Sequence, residues 1–129
     1  MKIKNGVDIV NINRIKDMLT RYGEVFLHKL FTTDEINYCV KAGGIDVKSL
    51  AKRFAGKEAF AKALGFGIGE IAFKDIEILN DEFKAPYIKI NDKIKNYVKI
   101  KHNWDNINVA LSLSDDNDMA LAFVIIHID

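Results

Sequence analysis

Two stretches of alternation near the end of the chain leave little choice of local structure. Ile107, Val109, Leu111 and Leu113 recur at every second residue, and Leu121, Phe123 and Ile125 repeat the pattern. A period of two is the repeat of a strand that sends alternate side chains to opposite faces, and it does not fit a helix. Only the turn-rich Asp115-Asp116-Asn117-Asp118 separates the two runs, so they predict an antiparallel hairpin. Upstream, Asp75-Ile76-Glu77-Ile78 and Tyr87-Ile88-Lys89-Ile90 alternate likewise on either side of Asn80 to Ala85, which predicts a second hairpin.

The first half has a different texture. Ile3 to Val10 suits a first strand, and Asn11 or Asn13 can cap a helix whose apolar positions Ile12, Ile15, Leu19 and Tyr22 recur at helical spacing. Thr32-Thr33-Asp34-Glu35 has capping-box spacing, so a further helix starts there and carries Ile36, Tyr38 and Val40. The longest helix runs from about Val47 to Leu64. Helices early and strands late predict an α+β fold, with a long central helix packed on an antiparallel sheet. The 129 residues are 49% hydrophobic, with 8 Gly, 1 Pro and no linker or repeat, which fits one domain over residues 1–129.

Composition also narrows function. A formal charge of +1 gives no global basic field for nucleic acid. The charge is uneven, however. Residues 1–62 hold 12 Lys/Arg against 7 Asp/Glu and residues 63–129 hold 7 against 11, so one half can attract an acidic partner. No apolar run of membrane-spanning length and no signal-peptide pattern appears, which predicts a cytoplasmic protein without a membrane segment. Cys39 has no second cysteine to pair with and reads as a small hydrophobe. His28, His102 and His127 read as surface or terminal residues, and Asp115-Asp116-Asn117-Asp118 as a turn, since it lacks the glycine and distal glutamate of an EF-hand loop.

Three charges sit where apolar residues belong. On the long helix, Leu50, Phe54, Ala61 and Leu64 share a face; Lys57 falls inside that stripe and Glu58 flanks it. Asp8 interrupts the apolar strand Gly6-Val7-Asp8-Ile9-Val10. A charge removed from water needs a partner, a metal or a ligand. Glu58 and Lys62, at i,i+4, could be a solvated pair, Lys57 could extend its head to water, and Asp8 could cap a helix or pair with an arginine. Alternatively, a strand carboxylate and a helix carboxylate meet and hold Mg²⁺, whose remaining positions suit phosphate oxygens and water.

The residues also fall into a known pattern. Gly6-Val7-Asp8-Ile9-Val10 is followed by Arg14-Ile15. Next comes Arg53-Phe54-Ala55-Gly56-Lys57-Glu58-Ala59-Phe60-Ala61-Lys62-Ala63-Leu64-Gly65, then Asp75-Ile76-Glu77-Ile78, Pro86 and Leu111-Ser112-Leu113-Ser114. In this order, over nearly the whole chain, they resemble the bacterial holo-[acyl-carrier-protein] synthases, a 4′-phosphopantetheinyl transferase family. The resemblance implies transfer of phosphopantetheine from coenzyme A to a carrier-protein serine with release of 3′,5′-ADP, in support of fatty acid biosynthesis. It implies Asp8 and Glu58 as Mg²⁺ ligands and Lys62 beside the reacting phosphates. It further implies Arg53, Lys57, Gly65, Gly67, Pro86, Ser112 and Ser114 near the coenzyme. Arg14, Met18 and Arg21, which share a face at i, i+4 and i+7, would dock the acidic acyl carrier protein, and coenzyme sites would lie between adjacent subunits of a homotrimer.

The chain departs from that pattern at two places. Where the family commonly has Ser-x-Ser-His, this chain has Asp115, which leaves the general base open among Glu58, a water on the metal and Asp115. The same change admits a competing reading, a non-catalytic coenzyme A or carrier-protein binding module. Lys84-Ala85-Pro86 stands where many relatives have Gly-x-Pro, so a differently shaped loop is expected.

Overall fold

In the computed structural model, which describes residues 2–65 and 71–129, the C-terminal alternation forms the expected hairpin. β6 (Ile107–Asp116) and β7 (Met119–Ile128) pair antiparallel, and Asn117 turns the chain at a left-handed φ of 53°. β1 (Lys2–Asn11) adds to the other side of β7, so the sheet order is β1-β7-β6. As the central strand, β7 is apolar on both faces. Ala120, Ala122, Val124, Ile126 and Ile128 are buried, whereas Leu121, Phe123 and Ile125, whose alternation betrays the strand, lie on the outer face at 39%, 41% and 38% exposure.

The inner face of this sheet is covered by α3 (Val47–Leu64), which has the bounds expected from sequence. Asp46 caps its start by accepting from the Lys48 amide, and Gly65 ends it in the left-handed conformation, φ 75°. Burial extends well beyond the expected stripe, because Ala51, Ala55, Gly56, Ala59, Phe60 and Ala63 are also inside. Small residues bring backbones together. A Cβ on Gly6 would lie 2.0 Å from the Ala59 carbonyl oxygen and 2.8 Å from the Ala63 nitrogen, both on the α3 backbone, which cannot rotate aside. Gly6→Ala should therefore cost the upper end of the ~1–3 kcal/mol typical of overpacking, lowering Tm on the order of 10 °C. Calorimetry showing an unchanged Tm would mean that β1 does not lie against α3.

The helix α1 (Ile12–Leu30) begins at Asn11, whose Oδ1 accepts from the Asn13 amide at 2.8 Å, and is broken at Gly23 (φ 53°, ψ −128°). Ile12 and Ile15 are buried and Leu19 half-buried, but Tyr22, expected on the same face, is 54% exposed. The break at the next residue redirects the helix, and Phe26 and Leu27 take over its packing. The capping box forms as expected at the start of α2 (Thr33–Cys39), but that helix stops before Val40. Val40 instead opens β2 (Val40–Lys41), paired with β3 (Gly44–Ile45). Cys39 is buried, and burial pushes its thiol up, in keeping with an inert hydrophobe.

The second hairpin, β4 (Glu77–Asn80) with β5 (Pro86–Lys89), packs beside β6. It begins at Glu77 because Phe73–Asp75 form a 3-10 turn, closed by the Ala72 amide donating to Asp75 Oδ2 at 2.8 Å. Lys84, the first residue of the Lys84-Ala85-Pro86 departure, takes φ 65°, the left-handed region that a glycine occupies without strain. The helix α4 (Asp92–His102) has no counterpart in the sequence reading; only Ile94 and Val98 are buried, too thin a stripe to stand out among its lysines. His102 is no simple surface residue. It stacks on Trp104 with ring centres 4.2 Å apart, and its Nε2 donates to the Leu64 carbonyl at 3.0 Å, capping the last turn of α3. Among the described residues no helix is long and apolar enough to cross a membrane.

Candidate active site

Asp8 lies on the same face of β1 as Gly6, so the close approach that Gly6 permits carries its carboxylate to α3. There Lys62 Nζ donates to Asp8 Oδ1 at 3.0 Å and to the Val7 carbonyl at 3.1 Å. The Asp8 side chain is only 15% exposed, against 55% for Lys62. Glu58, one helical turn before Lys62, faces the same spot. Burial pushes its carboxyl above the ordinary glutamate range and the Asp8 carboxylate pushes the same way, while Lys62 and Arg14 pull it back. Two acids and one exposed cation thus converge where strand meets helix. The described residues contain no cluster of three or more His, Cys, Asp or Glu able to hold a metal, so two carboxylates would share an ion with outside oxygens.

Lys57, expected beside the coenzyme, is in the core instead. It is wholly buried, and its three ammonium hydrogens are spent on Glu35 Oε1 at 2.8 Å, the Phe73 carbonyl at 2.9 Å and the Ile76 carbonyl. Glu35 is the functional partner that sequence reasoning missed. It was legible only as the capping-box acid, yet its Oε1 also serves Lys57 and its Oε2 accepts from the Ile78 amide at 3.1 Å. Desolvation pulls the Lys57 ammonium below the usual lysine range, and Glu35 opposes it. Arg53 is also buried. Its Nη1 donates to Ser49 Oγ at 3.2 Å, its Nη2 to Asn80 Oδ1, and its guanidinium lies over the Tyr38 ring at 4.2 Å. Among the described residues, Arg53 Nε is the one buried side-chain nitrogen or oxygen with no hydrogen-bond partner.

The remaining site residues are dispersed. Ser112 and Ser114 are exposed on the outer sheet face, opposite the layer that holds Asp8 and Glu58, while Leu111 and Leu113 turn inward. Asp115, on the inner face at the end of β6, is paired with Lys52 Nζ at 3.0 Å. Gly65 caps α3, Pro86 opens β5 opposite Asn80, and Gly67 lies outside the described residues. On α1, Arg14 and Arg21 are exposed and Met18 half-buried around a surface depression shared with Asp17 and Tyr22. The Arg14 guanidinium stands 5.8 Å from the Phe54 ring centre, which joins this face to the α3 carboxylate site.

Paired carboxylates beside a lysine, on a helix-covered antiparallel sheet, define a class of site suited to phosphate chemistry. The family model described as the 4′-phosphopantetheinyl transferase superfamily matches residues 5–123. A holo-[acyl-carrier-protein] synthase of Halothermothrix orenii is 44% identical over 123 residues, covering 93% of both chains. One from Ruminiclostridium cellulolyticum is 36% identical over 129 residues and covers 99% of this chain and 94% of its own. Among solved structures, the Helicobacter pylori holo-[acyl-carrier-protein] synthase in complex with coenzyme A superposes with a TM-score of 0.81 at 34% identity, covering 95% of this chain and 99% of its own. The ACPS–CoA complex of Chronobacterium ammoniagenes gives 0.86 at 25% identity, covering 100% and 99%. The chain belongs to the 4′-phosphopantetheinyl transferase superfamily and, within it, to the holo-[acyl-carrier-protein] synthases.

Proposed function

We propose that this chain transfers the 4′-phosphopantetheine group of coenzyme A to a serine of an apo acyl carrier protein. The observation that carries the reading is the meeting of Asp8, Glu58 and Lys62 at the contact of β1 with α3. The serine oxygen bonds to the phosphorus that bears the pantetheine arm, the bridging P–O bond breaks, and its electron pair leaves on 3′,5′-ADP. Glu58 takes the serine proton as general base.

Asp8 and Glu58 offer only hard carboxylate oxygens, and a cation offsets both the burial and the Asp8 repulsion that raise Glu58, so this pair suits Mg²⁺. When bound, Mg²⁺ supplies charge neutralisation for the diphosphate and polarises the phosphorus under attack. Lys62, more than half exposed and donating to Asp8 and a carbonyl, turns to a phosphoryl oxygen in this reading, where its charge favours the transition state. Gly65, Arg53 and Pro86 border the coenzyme in this reading, whereas Lys57 acts behind them by holding α3 to Ile76 and Phe73.

A second copy completes the site. Ser112 and Ser114 cannot reach the same coenzyme as Asp8 within one chain, because the sheet lies between them. Their face also carries exposed Ile3, Val7, Ile9, Leu121, Phe123 and Ile125, an apolar surface suited to self-association, which we read as the homotrimer. The acidic carrier protein docks on Arg14, Met18 and Arg21, and beyond Met18 an apolar depression along Tyr22, Val25 and Phe26 accepts its hydrophobic side chains. The setting is the cytoplasm, and the product serves fatty acid biosynthesis.

Incubation with coenzyme A, Mg²⁺ and an apo carrier protein, followed by mass spectrometry, should show one phosphopantetheine added per carrier and an equal amount of 3′,5′-ADP. Binding of both substrates without any mass gain would overturn the proposal in favour of a non-catalytic module.

A further inference from the structure

Asp115 ends the strand that carries Ser112 and Ser114 and, although its side chain turns to the inner layer, it lines one surface depression with Ser114, Ile9 and Leu121 at the strand end, a segment the proposed transferase reading assigns to the coenzyme; the following inference rests on that reading. A carboxylate there is a liability, since coenzyme A brings three phosphates. The chain answers it from the next layer. Lys52, on the N-terminal half of α3, puts its Nζ 3.0 Å from Asp115 Oδ2, and each side chain is only 28% exposed. That is more sheltered than the Lys62–Asp8 pair, where the lysine is 55% exposed. Water and salt therefore screen the Lys52–Asp115 pair less.

We infer that Lys52 is the built-in counter-ion of Asp115: it cancels the charge that Asp115 brings to the coenzyme site and fixes the end of β6 against α3, so that Asp115 is a positioning residue. The surrounding geometry explains why a clasp is useful here. β6 is an edge strand, paired with β7 on one side only within its sheet, and its inward Leu111 and Leu113 are half-buried. Gly56 brings α3 close to this strand, since a Cβ there would meet Ile78 Cδ1 at 2.5 Å and Leu113 Cδ2 at 3.4 Å. Lys52 is one helical turn before Gly56, directly along the helix toward the end of β6. Its neighbour Arg53 reaches the other way, to Asn80, whose partner across the β4–β5 ladder is Pro86. Two consecutive cations thus tie α3 to both strands that border the coenzyme in this reading.

The test is steady-state transfer with coenzyme A varied at saturating carrier protein and Mg²⁺, for wild type, Lys52→Met, Asp115→Asn and the double variant. Methionine keeps the length of the lysine stem, and circular dichroism melts confirm that each variant is folded. Lys52→Met leaves Asp115 uncompensated, so the KM for coenzyme A should rise about five- to tenfold with kcat within about twofold, the size expected of one partly screened charge. Adding Asp115→Asn to Lys52→Met should return KM to within about threefold of wild type, because no charge then remains to be cancelled. The inference is overturned if Lys52→Met leaves KM unchanged, if the second substitution fails to restore it, or if Asp115→Asn alone collapses kcat, which would make Asp115 the proton acceptor. Failure of wild type to transfer in the same assay would instead refute the transferase reading itself.

Discussion

Glu58→Gln is expected to lower the transfer rate by roughly a hundred- to thousandfold while making the folded protein slightly more stable. The loss follows from removing one of the two carboxylates proposed to hold the cation, with little change in shape. The gain follows from the electrostatics of Glu58. Burial and Asp8 raise its pKa in the folded chain above the ordinary value of 4.5, so the folded state binds that proton more tightly than the unfolded state does. Its contribution to stability is most favourable at low pH and is lost as pH rises from the ordinary value through the raised one. A neutral amide escapes that loss. Because the side chain is partly exposed, the gain at neutral pH should be small, and it should vanish below the ordinary glutamate value of 4.5. Stopped transfer assays and pH-dependent melts check both halves; a variant that stays active at ordinary Mg²⁺ would remove Glu58 from the cation site.

Lys57→Met should have the largest effect on stability. It strands the wholly buried Glu35 carboxylate without its cation, and breaking a buried pair from one side costs about 3–5 kcal/mol. Urea unfolding should show that loss, and Glu35→Gln added to Lys57→Met should recover part of it by removing the orphaned charge. If Lys57 instead contacted coenzyme A directly, the single variant would unfold normally and show only a raised KM for coenzyme A.

These two neighbouring residues show what the sequence could convey. Lys57 stands out as a charge inside an apolar stripe and Glu58 as one flanking it, and the physical demand for a partner is the same for each. Local spacing cannot say whether the charge meets a core acid 22 residues away, as Lys57 meets Glu35, or a second carboxylate whose repulsion a cation would relieve, as Glu58 meets Asp8. Elements governed by local rules were legible: the capping box at Thr32, the limits of α3 and both hairpins. What depended on distant packing was not. Nothing near β7 announces that β1 will make it a central strand, and nothing near Tyr22 shows that a break at Gly23 will leave it in water. Gly6 was visible as a motif residue, but its reason, contact with the α3 backbone, appears only in three dimensions. The Lys52 partner of Asp115 was hidden for the same reason.

The central claim is that Asp8 and Glu58 together hold a divalent cation that grips the coenzyme diphosphate. Calorimetric titration of coenzyme A into the protein, with Mg²⁺ and then with Mg²⁺ removed by chelation, tests it most directly. The account predicts tight binding that needs Mg²⁺ and a metal dependence that disappears in Asp8→Asn and in Glu58→Gln; equal affinity with and without Mg²⁺ in the unaltered protein would contradict it.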